Sequence, residues 1–205
     1  SIQMLKTDEG ILYYEDEGDF YRMYEFIDNS VTVEKADNLE MVENAASAFG
    51  KFHNDLAALN GDELGETIPF FHDTSKRYRD FLNSVKENRS GRLQTCLKEV
   101  ELVKNYESYY SLIVEGINKG EVKLHVTHND PKINNALFDV NTHLFRSDID
   151  LYTVMPGSVL YDFGDALRSL FTGDQEDTLD YTKVVVNFDI YRHYLAAYYT
   201  QAKKF

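Results

Sequence analysis

His128-Asn129-Asp130-Pro131-Lys132-Ile133-Asn134-Asn135 sets a carboxylate, a lysine two residues on and a carboxamide five residues on within one short stretch. Phosphoryl transfer needs three such groups: a carboxylate to accept or orient the proton of an attacking hydroxyl, a cation to offset charge on the moving phosphate, and a neutral oxygen ligand for magnesium. Asp130, Lys132 and Asn135 fit those roles in that order. Asp and Asn are also ordinary turn residues, so the pattern alone recurs by chance. A second group adds weight. Asp150 stands fifteen residues after Asn135, at the end of a strand-like run, in Ser147-Asp148-Ile149-Asp150-Leu151. A hard cation bridging nucleotide phosphates is held by one or two carboxylates plus a carbonyl-type oxygen, which Asp150 and Asn135 would supply. Asp148 is the rival for the metal, because positions two apart in a strand share a face.

The elements that must hold these groups follow from periodicity. A hydrophobic run over 121–126 leads in and Ala136-Leu137-Phe138 leads out, which predicts a loop between short β segments. Near the start, β-rich runs at 10–14 and 20–24 flank the acidic turn Glu15-Asp16-Glu17-Gly18-Asp19, a hairpin pattern. Asp37-Asn38-Leu39-Glu40 resembles a capping box, and Val42, Ala45, Phe49, Phe52, Leu56 and Leu59 recur behind it at helical spacing. A loop is expected over 61–69, then helices over 74–88 and 92–117. The second of these turns Leu93, Cys96, Val100, Val103, Tyr110, Ile113 and Ile117 inward. A closing helix is expected over 177–203, although Val184-Val185-Val186 is a poor helical run.

Composition narrows the partners. The 205 residues suit one medium domain with part of another, and 35 acidic residues against 21 basic give a net charge of −14. That balance argues against nucleic acid or an anionic membrane as partner. There is no apolar run of membrane-spanning length and no signal peptide, and a cytoplasmic location is expected. Cys96, the one cysteine, falls on an apolar helix face and reads as a core residue. His53 and His193 lie on helices with no metal-ligand partner three or four residues away, and His125 and His143 flank strands, so zinc is not expected.

Three blocks, Thr127 to Asp139 around the loop, Ile149-Asp150-Leu151-Tyr152-Thr153-Val154-Met155-Pro156-Gly157 and Tyr161-Asp162-Phe163-Gly164-Asp165-Ala166-Leu167-Arg168, closely resemble the aminoglycoside phosphotransferase and choline kinase superfamily. Within it they look most like the bacterial N-acetylhexosamine 1-kinases. The likeness extends upstream to Tyr21-Arg22-Met23-Tyr24-Glu25-Phe26-Ile27, Ala48-Phe49-Gly50-Lys51-Phe52 and Ile68-Pro69-Phe70-Phe71-His72-Asp73-Thr74. It implies an α+β, protein-kinase-like fold: a partial small lobe and hinge over 1–28, with a remnant β hairpin, and a mostly helical large lobe over 29–205. It also implies ATP and Mg2+ as cofactors, Asp130 and Lys132 as catalytic residues, and Asn135 and Asp150 as metal ligands. In the hinge, Tyr24, Glu25 and Ile27 would contact adenine, or would simply end a strand. His128 would shape the loop rather than act as acid or base. Asp162, in a kinase-like Asp-Phe-Gly placed twenty-seven residues after Asn135, would brace the loop. Arg168 would meet the acceptor or pair with Asp165, three positions earlier.

The acceptor implied is the anomeric hydroxyl of an N-acetylhexosamine. An aminoglycoside or choline-type acceptor, or a non-catalytic kinase-like binding domain, is the alternative. Tyr152 stands where the family usually carries an acid, which bears on that choice. Such kinases cover the phosphates with a glycine-rich hairpin and a strand lysine. The eleven glycines here include no G-x-G-x-x-G, and Lys6 lies in no β run. The expectation is therefore a segment of a longer kinase, inactive alone and exposing apolar surface that favours self-association.

Overall fold

The computed structural model describes residues 2–171 and 178–204. In chain order its regular elements are strands β1 (Tyr14–Asp16), β2 (Asp19–Tyr21) and β3 (Ser30–Val31), then helices α1 (Leu39–Leu56), α2 (Thr74–Glu87), α3 (Leu97–Asn105) and α4 (Leu112–Asn118). Strands β4 (His125–Thr127), β5 (Ala136–Asp139), β6 (Phe145–Asp148) and β7 (Met155–Gly157) follow, and helices α5 (Val159–Phe171) and α6 (Phe188–Gln201) close the chain.

Asn38 starts α1. Its backbone is extended and its side-chain oxygen accepts from the Met41 N–H at 2.9 Å, satisfying one of the helix's orphan donors. Met41, Val42, Ala45, Ala46 and Phe49 are then buried in one cluster with Ala166, Leu167 and Leu170 of α5 and with Tyr194 and Tyr198 of α6. Ile133, Ala136 and Phe138 belong to the same cluster, so the segment that carries Asp130 is anchored directly in the core. At Gly50 a Cβ would stand 2.7 Å from the Tyr198 carbonyl oxygen, which is why the α1–α6 crossing uses glycine there.

The sheets are small and antiparallel. β3, β5 and β6 form one, with Ala136 opposite Asp148. β4 pairs with β7, setting Thr127 opposite Met155. β1 and β2 close through Glu17 and Gly18, both at positive φ, the backbone that a two-residue hairpin turn requires.

The turn is tighter than the sequence pattern suggested, and Glu15, Asp16 and Asp19 are strand residues. The helix expected over 92–117 is broken into a 3-10 turn at Leu93–Thr95, α3, a second 3-10 turn at Glu107–Tyr109, and α4. The first break falls where the Thr95 hydroxyl turns back to the Arg92 carbonyl and Cys96 leaves helical backbone. Cys96 therefore lies at a helix boundary, half-buried, rather than on a helix face. All seven residues named as inward are half-buried, so the facing was right where the continuity was not. Leu59 lies past the end of α1 and is exposed. α6 begins at Phe188, capped by Asn187, and Val184 to Val186 are exposed outside any helix, as three β-branched residues in a row favour. The expected start of that helix at Asp177 lies outside the described residues.

Candidate active site

The loop after β4 is fixed from four directions before it presents any reactive group. Asn129 adopts a left-handed conformation at φ 65°, one that Asn tolerates better than most residues. Its buried carboxamide nitrogen donates to the carbonyls of Thr127, Thr153 and Met155 at 3.2, 3.1 and 3.3 Å, while its oxygen accepts from the Thr127 hydroxyl at 3.1 Å. From α5, the buried Asp162 carboxylate accepts the N–H of His128 on Oδ2 and that of Asn129 on Oδ1, both at 2.8 Å. His53 of α1 sets its Nε2 2.7 Å from the same Oδ2. On the far side, His72 Nε2 donates to the Asn129 carbonyl at 2.8 Å, its ring stacked on Tyr161 at 5.0 Å. His128 itself donates from Nε2 to the Ile149 carbonyl at 3.0 Å and accepts the Asp130 N–H on Nδ1 at 3.4 Å. It therefore ties the loop to the segment that carries Asp150.

On this frame the three groups first singled out come together. Lys132 Nζ lies 3.4 Å from Asp130 Oδ1. Asn135 Nδ2 donates to Asp130 Oδ2 at 3.1 Å and to the Asp130 carbonyl at 2.7 Å. Each carboxylate oxygen of Asp130 thus has one neighbour, and the group is partly exposed, as a residue meeting a substrate must be. The Ile149 N–H donates to the Asn135 carbonyl at 2.9 Å, so β5–β6 pairing brings Asn135 beside the segment that bears Asp150.

Asp148 and Asp150 do not share a face. β6 ends at Asp148, and Asp150 has left-handed backbone at φ 61°, which breaks the strand alternation. Asp150 lines a cleft of about 710 Å3, walled by Tyr24, Glu25 and Ile27 on one side and Leu137, Ile149 and Leu151 on the other. Asp148 instead lines a separate cavity of about 360 Å3 with Lys51, Phe52 and Arg146. Burial pushes its carboxyl up to about 7, and its Oδ1 is buried without a hydrogen-bond partner among the described residues.

Among the described residues no three His, Cys, Asp or Glu side chains gather as a metal cage. A magnesium ion does not need one: it is commonly held by one or two carboxylates while substrate phosphates and water supply the remaining oxygens. Asp150 and the Asn135 carboxamide are hard oxygen donors of that kind. Arg168 pairs with Asp165 at 2.9 Å on α5 and does not line the cleft. His53, His72, Asn129 and Tyr198 are the site-shaping residues that sequence reasoning missed. His72 lay inside a matching block and Asn129 inside the motif, but His53 finds its partners 109 and 145 positions away, where no local spacing could signal them. His193, also taken as lacking a metal partner, pairs with Glu43 at 2.6 Å.

A helical body carrying a short, fully braced loop beside an apolar cleft is the large-lobe architecture of the protein-kinase-like fold. Residues 8–198 match the model of the phosphotransferase enzyme family, APH, and the chain belongs to that family. It is similar to the crystal structure of an aminoglycoside-3'-phosphotransferase of type VIII, at 18% identity and a TM-score of 0.47 over 92% of this chain. The chain spans 64% of that protein's length.

Proposed function

We propose that this chain carries the catalytic loop and metal-binding segment of an ATP- and magnesium-dependent phosphotransferase acting on a small-molecule hydroxyl. The observation that carries the reading is the Asp130–Lys132–Asn135 constellation on a braced loop, in which Lys132 and Asn135 each reach a carboxylate oxygen of Asp130 within 3.4 Å. Asp130 takes the proton of the acceptor hydroxyl, with Lys132 and Asn135 holding its carboxylate in one orientation for that transfer. Lys132 also offsets charge on the transferred phosphoryl group. Asn135 and Asp150 hold the magnesium, which when bound neutralises the nucleotide phosphates. Tyr24, Glu25 and Ile27 receive the adenine in the cleft, whose volume suits a cofactor. In this reading residues 1–28 are the partial small lobe and hinge, and 29–205 the large lobe.

The acceptor we favour is the anomeric hydroxyl of an N-acetylhexosamine, supported by the likeness of the blocks around Asp130 and Asp150 to that group of kinases. Tyr152, exposed in the cleft, is where this chain departs from them. The 205 residues alone are expected to turn over no acceptor, since they hold no glycine-rich segment to cover the phosphates and positioning is most of what this catalysis consists of. Their exposed Ile11, Phe20, Met23 and Phe26 favour self-association. Phosphate release onto N-acetylglucosamine, N-acetylgalactosamine, choline and an aminoglycoside, measured with Mg-ATP in the full-length protein, tests the acceptor. Preference for choline or the aminoglycoside would overturn it.

A further inference from the structure

Tyr194 and Tyr198 stand one turn apart on α6 and are packed almost alike. Both rings meet Phe163 at 5.3 Å, at 71° and 74°, and they stack on each other at 15°. Their hydroxyls differ. That of Tyr194 is buried with no hydrogen-bond partner among the described residues. That of Tyr198 lies 2.7 Å from Nδ1 of the buried His53, whose other ring nitrogen lies 2.7 Å from Asp162 Oδ2.

The direction of this chain follows from what each group can give. Asp162 already accepts two backbone N–H groups, so an ionised carboxylate there offers only lone pairs to His53. His53 must donate from Nε2. In a neutral imidazole the remaining nitrogen is then an acceptor, and the Tyr198 hydroxyl must donate to it. Without that donor, the tautomer with its proton on Nδ1 becomes accessible. It would turn the Nε2 lone pair against the Asp162 carboxylate and loosen the group that holds His128 and Asn129.

We propose that Tyr198 is a positioning residue for the catalytic loop, acting through the tautomer of His53 and the carboxylate of Asp162 on the two amides that precede Asp130. The last helix would thereby set the aim of a residue sixty-eight positions earlier. Its catalytic meaning rests on Asp130 being the proton acceptor. The test uses no turnover, so either reading can fail without the other.

Long-range 1H–15N correlation on the imidazole-labelled chain reads the tautomer, and amide hydrogen exchange reads the loop. In the native chain His53 is expected to carry its proton on Nε2 alone. Tyr198→Phe is expected to shift it toward Nδ1 and to speed exchange at His128 and Asn129 about tenfold more than at Phe49 or Phe138. Tyr194→Phe, which removes a hydroxyl from the same ring stack, is expected to change neither. In a His53→Gln background the carboxamide supplies the donor without a tautomer to select, so adding Tyr198→Phe should leave the two amides unchanged. A native His53 protonated on Nδ1 or on both nitrogens would overturn the proposal. So would equal effects of Tyr198→Phe and Tyr194→Phe, or an undiminished Tyr198→Phe effect in the His53→Gln background.

Discussion

Three aspartates within fifteen residues of sequence carry three different burdens, and their surroundings tell them apart. Asp150 is exposed on a left-handed turn in the cleft, with no core role. Asp162 is buried and accepts two amides beside His53. Asp150→Ala is therefore expected to abolish metal-dependent nucleotide binding while leaving the melting temperature nearly unchanged. Asp162→Ala, which strands three buried donors, is expected to cost about 3–5 kcal/mol of stability. Titration calorimetry with Mg-ATP beside thermal melts reads both, and the reverse order would mean that the metal role is misassigned. Asp148 is expected to act on stability through pH. Its folded carboxyl, raised to about 7 chiefly by burial, binds a proton that the unfolded chain, near the ordinary 3.8, has lost. Stability should then be fullest in acid and fall as pH rises from about 4 to about 7. Asp148→Asn should flatten that slope and stabilise the chain above neutrality by on the order of 2–4 kcal/mol, measured by urea unfolding at several pH values. An unchanged slope would show that the carboxylate is compensated. Asp130, Lys132 and Asn135 were singled out in the sequence by type and spacing, and the structure brings Lys132 and Asn135 to the Asp130 carboxylate, as the proposed chemistry requires. The face shared by Asp148 and Asp150 was misread because a single left-handed residue breaks a two-residue period.

At the scale of elements, the loop is held by a strand pair whose closeness depends on one residue without a side chain. A Cβ at Gly157 of β7 would stand 2.2 Å from the Thr127 hydroxyl oxygen and 2.5 Å from Asn129 Oδ1. Gly157→Ala should therefore push β7 away from β4 and release the Asn129 carboxamide, at a cost of about 1–3 kcal/mol. Thermal melts and amide exchange at Thr127 and Asn129 check it, and native-like protection at both would contradict it. The flanking strands and α2 were legible from period and α1 from period and its cap, Asn38 accepting the N–H three residues on; the matching cap of α2, Asp73, emerged only in the structure. The run from 92 to 117 was not. Its apolar spacing is helical throughout, but Thr95 and the aromatic stretch around Tyr106 divert backbone bonds into 3-10 turns, and a hydrophobic period is blind to that.

For the whole molecule, the sequence carried the family and the fold class because the blocks around Asp130, Asp150 and Asp162, with weaker ones upstream, resemble that family along most of its length. It did not carry the wiring between them. α1, α5 and α6 converge on the loop through Tyr198, His53 and Asp162, contacts made only when distant segments fold together. The same packing explains why a strongly acidic chain can hold a cluster of apolar residues around a buried carboxylate: His53 and two backbone amides surround it. In the proposed reading these elements present Asp130 to the acceptor. The most direct measurement is acceptor phosphorylation by the full-length protein and its Asp130→Asn variant, with nucleotide affinity measured in parallel. Turnover should fall by about 10²–10⁴-fold while nucleotide affinity stays the same. A variant that retains near-normal kcat would show that Asp130 is not the proton acceptor and that the loop does not perform this chemistry.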